Sequence, residues 1–243
     1  MLLRRGAAGR NHWGKGPAVS PVPLRPKVVA ELDLPPSPRQ KRSREKRARL
    51  LAAGLALFGE KGYQATSVGK VAARAGVAVG GFYLHFRNKR QLLLVLMDEL
   101  LEGLSRLDLR PQGAVSVRAG LRALLQSAFT RELTYTGAYR AWQEAVLLDG
   151  SLAPLQRQIE RWSRARVTAV FELLLQLPGA RAGVNVPALA RLMDRLFWDL
   201  LGQALRMRPD ELDAALESTT DLIYHALFTD STPAPARHSQ KPA

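Results

Sequence analysis

From Ala48 to Leu227 the apolar residues recur at steps of three and four, and no stretch alternates apolar with polar between turn signals as a strand does. That periodicity leaves little room for a sheet and predicts an all-α chain. The first stripe is Ala48, Leu51, Leu55 and Phe58, on a helix that "SPRQ" opens: Ser37 as N-cap, Pro38 at the first helical position and Gln40 three after the cap make a capping box. Gly62 suits its C-terminal turn. A helix of about two turns follows, capped by Thr66 or Ser67 and broken at Gly76. A second short helix runs from about Val79 to Leu84, and Asn88 caps a long one reaching about Leu107. Two short helices joined by a tight glycine turn form a helix-turn-helix. Further helices are expected over about 114–131, 137–148, 152–177, 186–207 and 210–228, separated by Pro111-Gln112-Gly113, Asp149-Gly150, Pro178-Gly179 and Arg208-Pro209.

Charge divides the chain as the helices do. Of its 243 residues, the first hundred hold 19 Lys and Arg against 6 acids, and the remainder 17 against 15. A basic front and a nearly neutral back indicate a polyanion-binding part followed by a part with another task. Arg39, Lys41, Arg42, Arg44, Lys46, Arg47 and Arg49 crowd the early turns of the first helix, the end where the helix dipole disfavours cations, so an external anion is expected there. Nucleic acid and an anionic membrane surface both fit such a partner. No apolar run is long enough to span a bilayer. Nucleic acid and no membrane is the expectation, and an anionic-membrane binder is a rival that liposome pull-down stronger than duplex binding at equal salt would support. Cysteine is absent and the four histidines (His12, His85, His225, His238) lie outside helical reach of one another, so neither a metal site nor a cofactor is expected, and the composition fits a cytoplasmic protein. No phosphate loop or nucleophile–base pair marks an enzyme, and no catalytic residue is assigned.

The seven prolines between Pro17 and Pro38 exclude regular structure, so residues 1–36 read as an unstructured basic extension, and the tail 229–243 reads likewise. The ordered part divides into a basic helix-turn-helix domain at 37–87 and a helical domain at 88–228. In "GVAVGGFYLHFRNKRQLL" the chemistry is local. Gly80 and Gly81 together cost about 2 kcal/mol of helix propensity, and in return let a backbone approach base edges. Phe82 and Phe86, four apart, pin that helix to the core. The Tyr83 hydroxyl and His85 imidazole fall on other faces, where they can donate to phosphates, and Lys89 opens the next helix, where free N–H groups and an ammonium can grip an anion.

"TSVGKVAARAGVAVGGFYLHFRNKRQLL" closely resembles the DNA-binding segment of TetR-family transcriptional regulators, with Thr66, Val71-Ala72, Ala75-Gly76-Val77, Gly80, Tyr83, His85-Phe86, Lys89 and Leu92 on the family's pattern. The resemblance implies that Thr66 or Ser67 bonds a phosphate, that Val79, Gly80 and Gly81 face bases, and that Tyr83, His85 and Lys89 hold phosphates. Ala78 stands where the family often caps the recognition helix, Gly81 where a base-reading side chain is frequent, and Arg90 where an acid is common. The resemblance also implies a homodimer through the last two helices (186–228), whose apolar faces include Leu192, Leu196, Leu216 and Leu222, and a pseudo-palindromic double-stranded DNA operator. Phe129, Tyr139, Trp142, Phe171 and Trp198, with Tyr135 and Trp162, are expected to wall a cavity for a small apolar effector, and Arg140 and Gln143 offer polar contacts. The reading is a ligand-responsive regulator, a repressor. A helical carrier or enzyme bearing a basic domain is another rival, to be told apart by turnover without an operator.

Overall fold

The computed structural model describes residues 22–29, 35, 40–107 and 116–229. Among them the regular structure is helical, apart from one isolated antiparallel bridge between Ala180 and Phe228. The order is α1 (Lys41–Lys61), α2 (Val68–Arg74), α3 (Val79–Tyr83), α4 (Lys89–Ser105), α5 (Val117–Glu132), α6 (Thr136–Leu148), α7 (Ala153–Leu174), α8 (Val186–Gln203) and α9 (Pro209–Leu227), with short 3₁₀ turns before α6, α7 and α9.

Helix α1 begins at Lys41, with Gln40 as N-cap and no side-chain cap bond. Gln40 is therefore the cap itself, not the third helical residue, and Ser37 and Pro38 lie outside the described residues. The buried stripe is Leu50, Ala53, Leu57 and Phe58, rotated from the expected one so that Ala48 faces solvent. Leu51 and Leu55 of the expected stripe are half-buried against the core. Helix α6 lies against α1 there at Gly137, where a Cβ would stand 2.7 Å from the Leu55 carbonyl oxygen and 2.9 Å from the Gly59 backbone. Backbone at that distance admits only glycine.

Helix α4 leaves the helix-turn-helix and becomes the axis of the second domain, with Leu92 to Met97, Leu100, Leu101 and Leu104 all buried. α5 packs on α9, α7 on α8, and α6 fills the space between α1, α4 and α8. The α5–α9 contact carries an ion-pair lattice in which Arg118 meets Glu217 and Asp221 while Arg122 meets Glu217 and Asp213.

Of the extension expected at 1–36, residues 22–29 carry no regular structure yet pack on α4; residues 1–21, 30–34 and 36, and the tail 230–243, lie outside the described residues. Pro26 and Val28 are buried, and Arg25 donates from Nε to Glu102 at 2.6 Å and from Nη1 to Asp98 at 2.8 Å. Asp98 also accepts the Val28 N–H at 3.0 Å. Proline does exclude regular structure here, as expected. It does not exclude packing: an extended segment whose donors meet two carboxylates of α4 is held without a backbone ladder.

Candidate nucleic-acid interface and effector cavity

The turn between α2 and α3 is made by Gly76 at φ +62°, beside the Arg49 guanidinium of α1. Ser67 caps α2, its hydroxyl accepting the Lys70 N–H at 3.3 Å. Ala78 precedes α3 without a side-chain cap. The two short helices nonetheless stand firmly, because Phe82 and Phe86 are wholly buried, their rings 5.6 Å apart, with the Arg47 guanidinium over Phe86 at 5.2 Å. With those rings as anchors, α3 turns its other face outward: Val79 is 48% exposed, Tyr83 52%, and the position where a Gly80 Cβ would stand has no neighbour within 4 Å. Gly81 is different. A Cβ there would lie 2.7 Å from Cγ1 of Val77, so this glycine serves the packing of the turn before any contact with bases.

Three residues assigned to phosphates point inward instead. Thr66 is 1% exposed and its hydroxyl donates to the carbonyls of Gly62 at 2.7 Å and Leu57 at 3.3 Å, tying α2 to the end of α1. Lys89 spreads its ammonium over three carbonyls, Tyr63 at 2.8 Å, Thr66 at 2.9 Å and Gln64 at 3.2 Å, with Nζ 4.4 Å from the Tyr63 ring centroid. Three protons meet three acceptors, which leaves none for a phosphate; burial also pulls this amine below the usual lysine range, against the opposing pull of Glu144. His85 is 5% exposed, with Nδ1 buried and without a partner. Burial first, then Arg47 and Lys46, lower its pKa, so the neutral imidazole is favoured. The surface turned toward an anion is thus Ser67, Tyr83 and the exposed α3 backbone, flanked by Lys46 and Arg49.

The interface is tied to the second domain by contacts that no local pattern announces. Glu144 of α6 accepts the N–H groups of Tyr63 at 2.6 Å and Gln64 at 2.9 Å, clamping the α1–α2 turn. Arg140 donates to the Gly59 carbonyl at 3.1 Å, and Arg90 reaches Asp149 at 2.9 Å and Ser151 at 3.0 Å. Arg90, where the family often has an acid, therefore staples α4 to the end of α6.

Between α4, α5, α7, α8 and α9 lies an apolar cavity of about 130 Å³. Phe129, Phe171 and Trp162 line it, with Leu104, Met193 and Phe197. Tyr139, Trp142 and Trp198 do not. Tyr139 and Trp198 stack on each other 4.7 Å apart beside a separate polar groove of about 340 Å³, which Gln143, Arg164 and Asp194 also border. Trp142 is closed in the core, its indole N–H donated to Gln156 at 2.6 Å. Which aromatics share a cavity is set by the rotation of α6: its Tyr139 face meets α8, away from α5. Tyr135 gives its hydroxyl to Glu99 instead.

Residues 50–96 match the family described as bacterial regulatory proteins, tetR family. The chain is 28% identical over 187 residues to the HTH-type transcriptional regulator BetI of Cronobacter sakazakii, an alignment covering 75% of this chain and 91% of that protein. Its fold resembles that of SmeT in its triclosan complex, at 23% identity and a TM-score of 0.56 over 82% of this chain and 99% of the other. It also resembles the ketosteroid transcriptional regulator KstR2 of Mycobacterium tuberculosis, at 19% identity and a TM-score of 0.59 over 76% and 96%. BetI and KstR2 are both transcriptional regulators by name. The helix-turn-helix of residues 50–96 is therefore that of the tetR family of bacterial regulatory proteins, and the helical domain on which it is mounted shares the fold of such regulators.

Proposed function

We propose that the chain is a cytoplasmic homodimeric repressor that leaves a pseudo-palindromic double-stranded operator when a small molecule with an apolar body fills the cavity between α4, α5, α7, α8 and α9. The observation that carries this is the exposed face of α3, Val79, Gly80 and Tyr83, held outward by two fully buried phenylalanines. A short helix presenting bare backbone between basic flanks fits the floor of a major groove. Reading is thin, a Val79 contact to a thymine methyl with backbone approach and DNA shape supplying the rest.

Dimerisation through α8 and α9 is supported by Leu192 and Leu222, which stand 61% and 50% exposed on those two helices. A twofold dimer carries two α3 helices to two half-sites. The apolar cavity supports the effector role, and SmeT, a neighbour in fold, was solved with triclosan, itself a small apolar molecule. The route from cavity to DNA is short: Leu104 and Leu107 of the cavity wall stand at the far end of the helix that leaves the helix-turn-helix, and α6 clamps the α1–α2 turn. A ligand that shifts α4 against α6 therefore changes the population of α3 spacings that fit the operator.

Footprinting on the DNA upstream of the protein's own coding sequence tests this reading. A protected pseudo-palindrome is the expected result; protection spread evenly along the fragment, at every salt concentration, contradicts it.

A further inference from the structure

One member of the cavity wall does not belong with the rest. Among the described residues, Arg166 of α7 is the only charged one lining it. Its Nη2 donates to the Leu104 carbonyl at 2.8 Å, and its guanidinium lies 5.2 Å from the Trp162 ring centroid. No carboxylate among the described residues pairs with it, and burial, unopposed by any acid, lowers its pKa. A carbonyl and a ring face accept part of a guanidinium's hydrogen bonding but leave its charge uncompensated, and charged groups in an apolar wall are almost always paired. The other polar side chains of the wall have their hydrogens engaged already: Ser163 donates to Asp194 and accepts the Trp198 indole N–H at 3.0 Å, and Thr219 donates to the Ala215 carbonyl at 2.7 Å. Among the described residues of the wall, Arg166 is the one with donors and charge to spare.

We propose that the effector is a small monoanionic carboxylate with an apolar body, its carboxylate held by Arg166. This deepens the effector reading of the cavity and rests on it. The planar fork of a guanidinium matches a carboxylate in two parallel hydrogen bonds, and the remaining wall, Leu121, Phe129, Val170, Phe171 and Ile223 among it, receives the body. At about 130 Å³ the space approaches that of an engineered apolar cavity of roughly 150 Å³ that holds benzene. The body is therefore about one aromatic ring or a five-carbon chain. A carboxylate competes with the Leu104 carbonyl for the same guanidinium. Binding thus weakens the tie between α7 and the last turn of α4, the helix that carries the DNA-binding domain.

Titration calorimetry on the full chain at neutral pH decides the matter, with benzoate against benzyl alcohol, pentanoate against pentanol, and acetate as charge without body. Each acid should bind at least tenfold more tightly than its alcohol, and acetate should give no measurable heat of binding. In Arg166→Gln, which keeps a donor for the Leu104 carbonyl but no charge, acid and alcohol should come within about twofold of each other. Should that variant fold poorly, the wild-type comparison still decides. Equal binding of acid and alcohol leaves the apolar cavity standing and overturns the anionic effector. A preference that survives in Arg166→Gln, or acetate binding as tightly as benzoate, places the anion elsewhere and overturns it too. If no acid and no alcohol binds, the effector reading of the cavity falls, and this inference with it.

Discussion

Gly137→Ala is expected to lower stability by about 2 kcal/mol or more and to release the DNA-binding domain from the helical domain. The added methyl would meet the Leu55 carbonyl oxygen at 2.7 Å and the Gly59 backbone at 2.9 Å, both inside α1. A side chain can swing aside from such a contact, but two helix backbones cannot. α1 and α6 must separate, which also breaks the Arg140 bond to the Gly59 carbonyl and draws Glu144 off the N–H groups of Tyr63 and Gln64. Overpacking of this kind costs about 1–3 kcal/mol and sometimes more, and the roughly 1 kcal/mol of helix propensity gained on leaving glycine offsets only part of the total. Urea unfolding followed by circular dichroism measures it. Gly69→Ala, in a helix where a Cβ meets nothing within 4 Å, is the control and should be neutral or slightly stabilising.

Lys89→Met separates two accounts of the same residue. Methionine keeps an unbranched side chain but removes the ammonium from the Tyr63 ring, leaving the carbonyls of Tyr63, Gln64 and Thr66 without their shared donor. A charged hydrogen bond has a net worth of about 1.5–3 kcal/mol. Three that share one ammonium, all at a partly or fully exposed turn, do not add, and the expected loss is that of a single bond, about 2 kcal/mol. DNA affinity should fall with it, because the turn that seats α2 loosens. The slope of log affinity against log salt should stay unchanged. A lysine that grips a phosphate behaves the opposite way: stability is kept and the slope falls by about 0.9. The two outcomes are read from one denaturant titration and one salt series.

This pair of residues also shows where sequence reading succeeds and where it stops. The helix-turn-helix was legible because its signals are local: Gly76 at the turn, Ser67 and Asn88 at their caps, and Phe82 and Phe86 four apart all act within a few residues of themselves. The His85 ring is buried by packing, whereas Thr66 and Lys89 carry chemistry that serves a backbone carbonyl as well as a phosphate. Which acceptor each meets depends on the α1–α2 turn, 23 to 26 positions before Lys89, and spacing carries no record of it. Arg25 on Asp98 and Glu144 on Tyr63, 73 and 81 positions apart, are hidden for the same reason. In the helical domain, periodicity placed the helices to within a few residues. It left open how each is rotated against its neighbours, so Phe129 and Phe171 reached the cavity while Tyr139, Trp142 and Trp198 did not. Arg166 went unnoticed among the arginines of α7, because a charge in an amphipathic helix reads as solvent-facing until the opposite wall is in place.

The central claim is that the outward face of α3 meets the bases. Gly80→Leu tests it most directly, because a leucine there has no atom of the chain within 4 Å of its Cβ and so leaves the fold intact while standing in the path of the groove floor. Measured on the fragment that footprinting protects, its affinity should fall at least tenfold, about 1.4 kcal/mol, with unfolding stability equal to or above that of the parent. Unchanged affinity in a folded Gly80→Leu protein would contradict the claim.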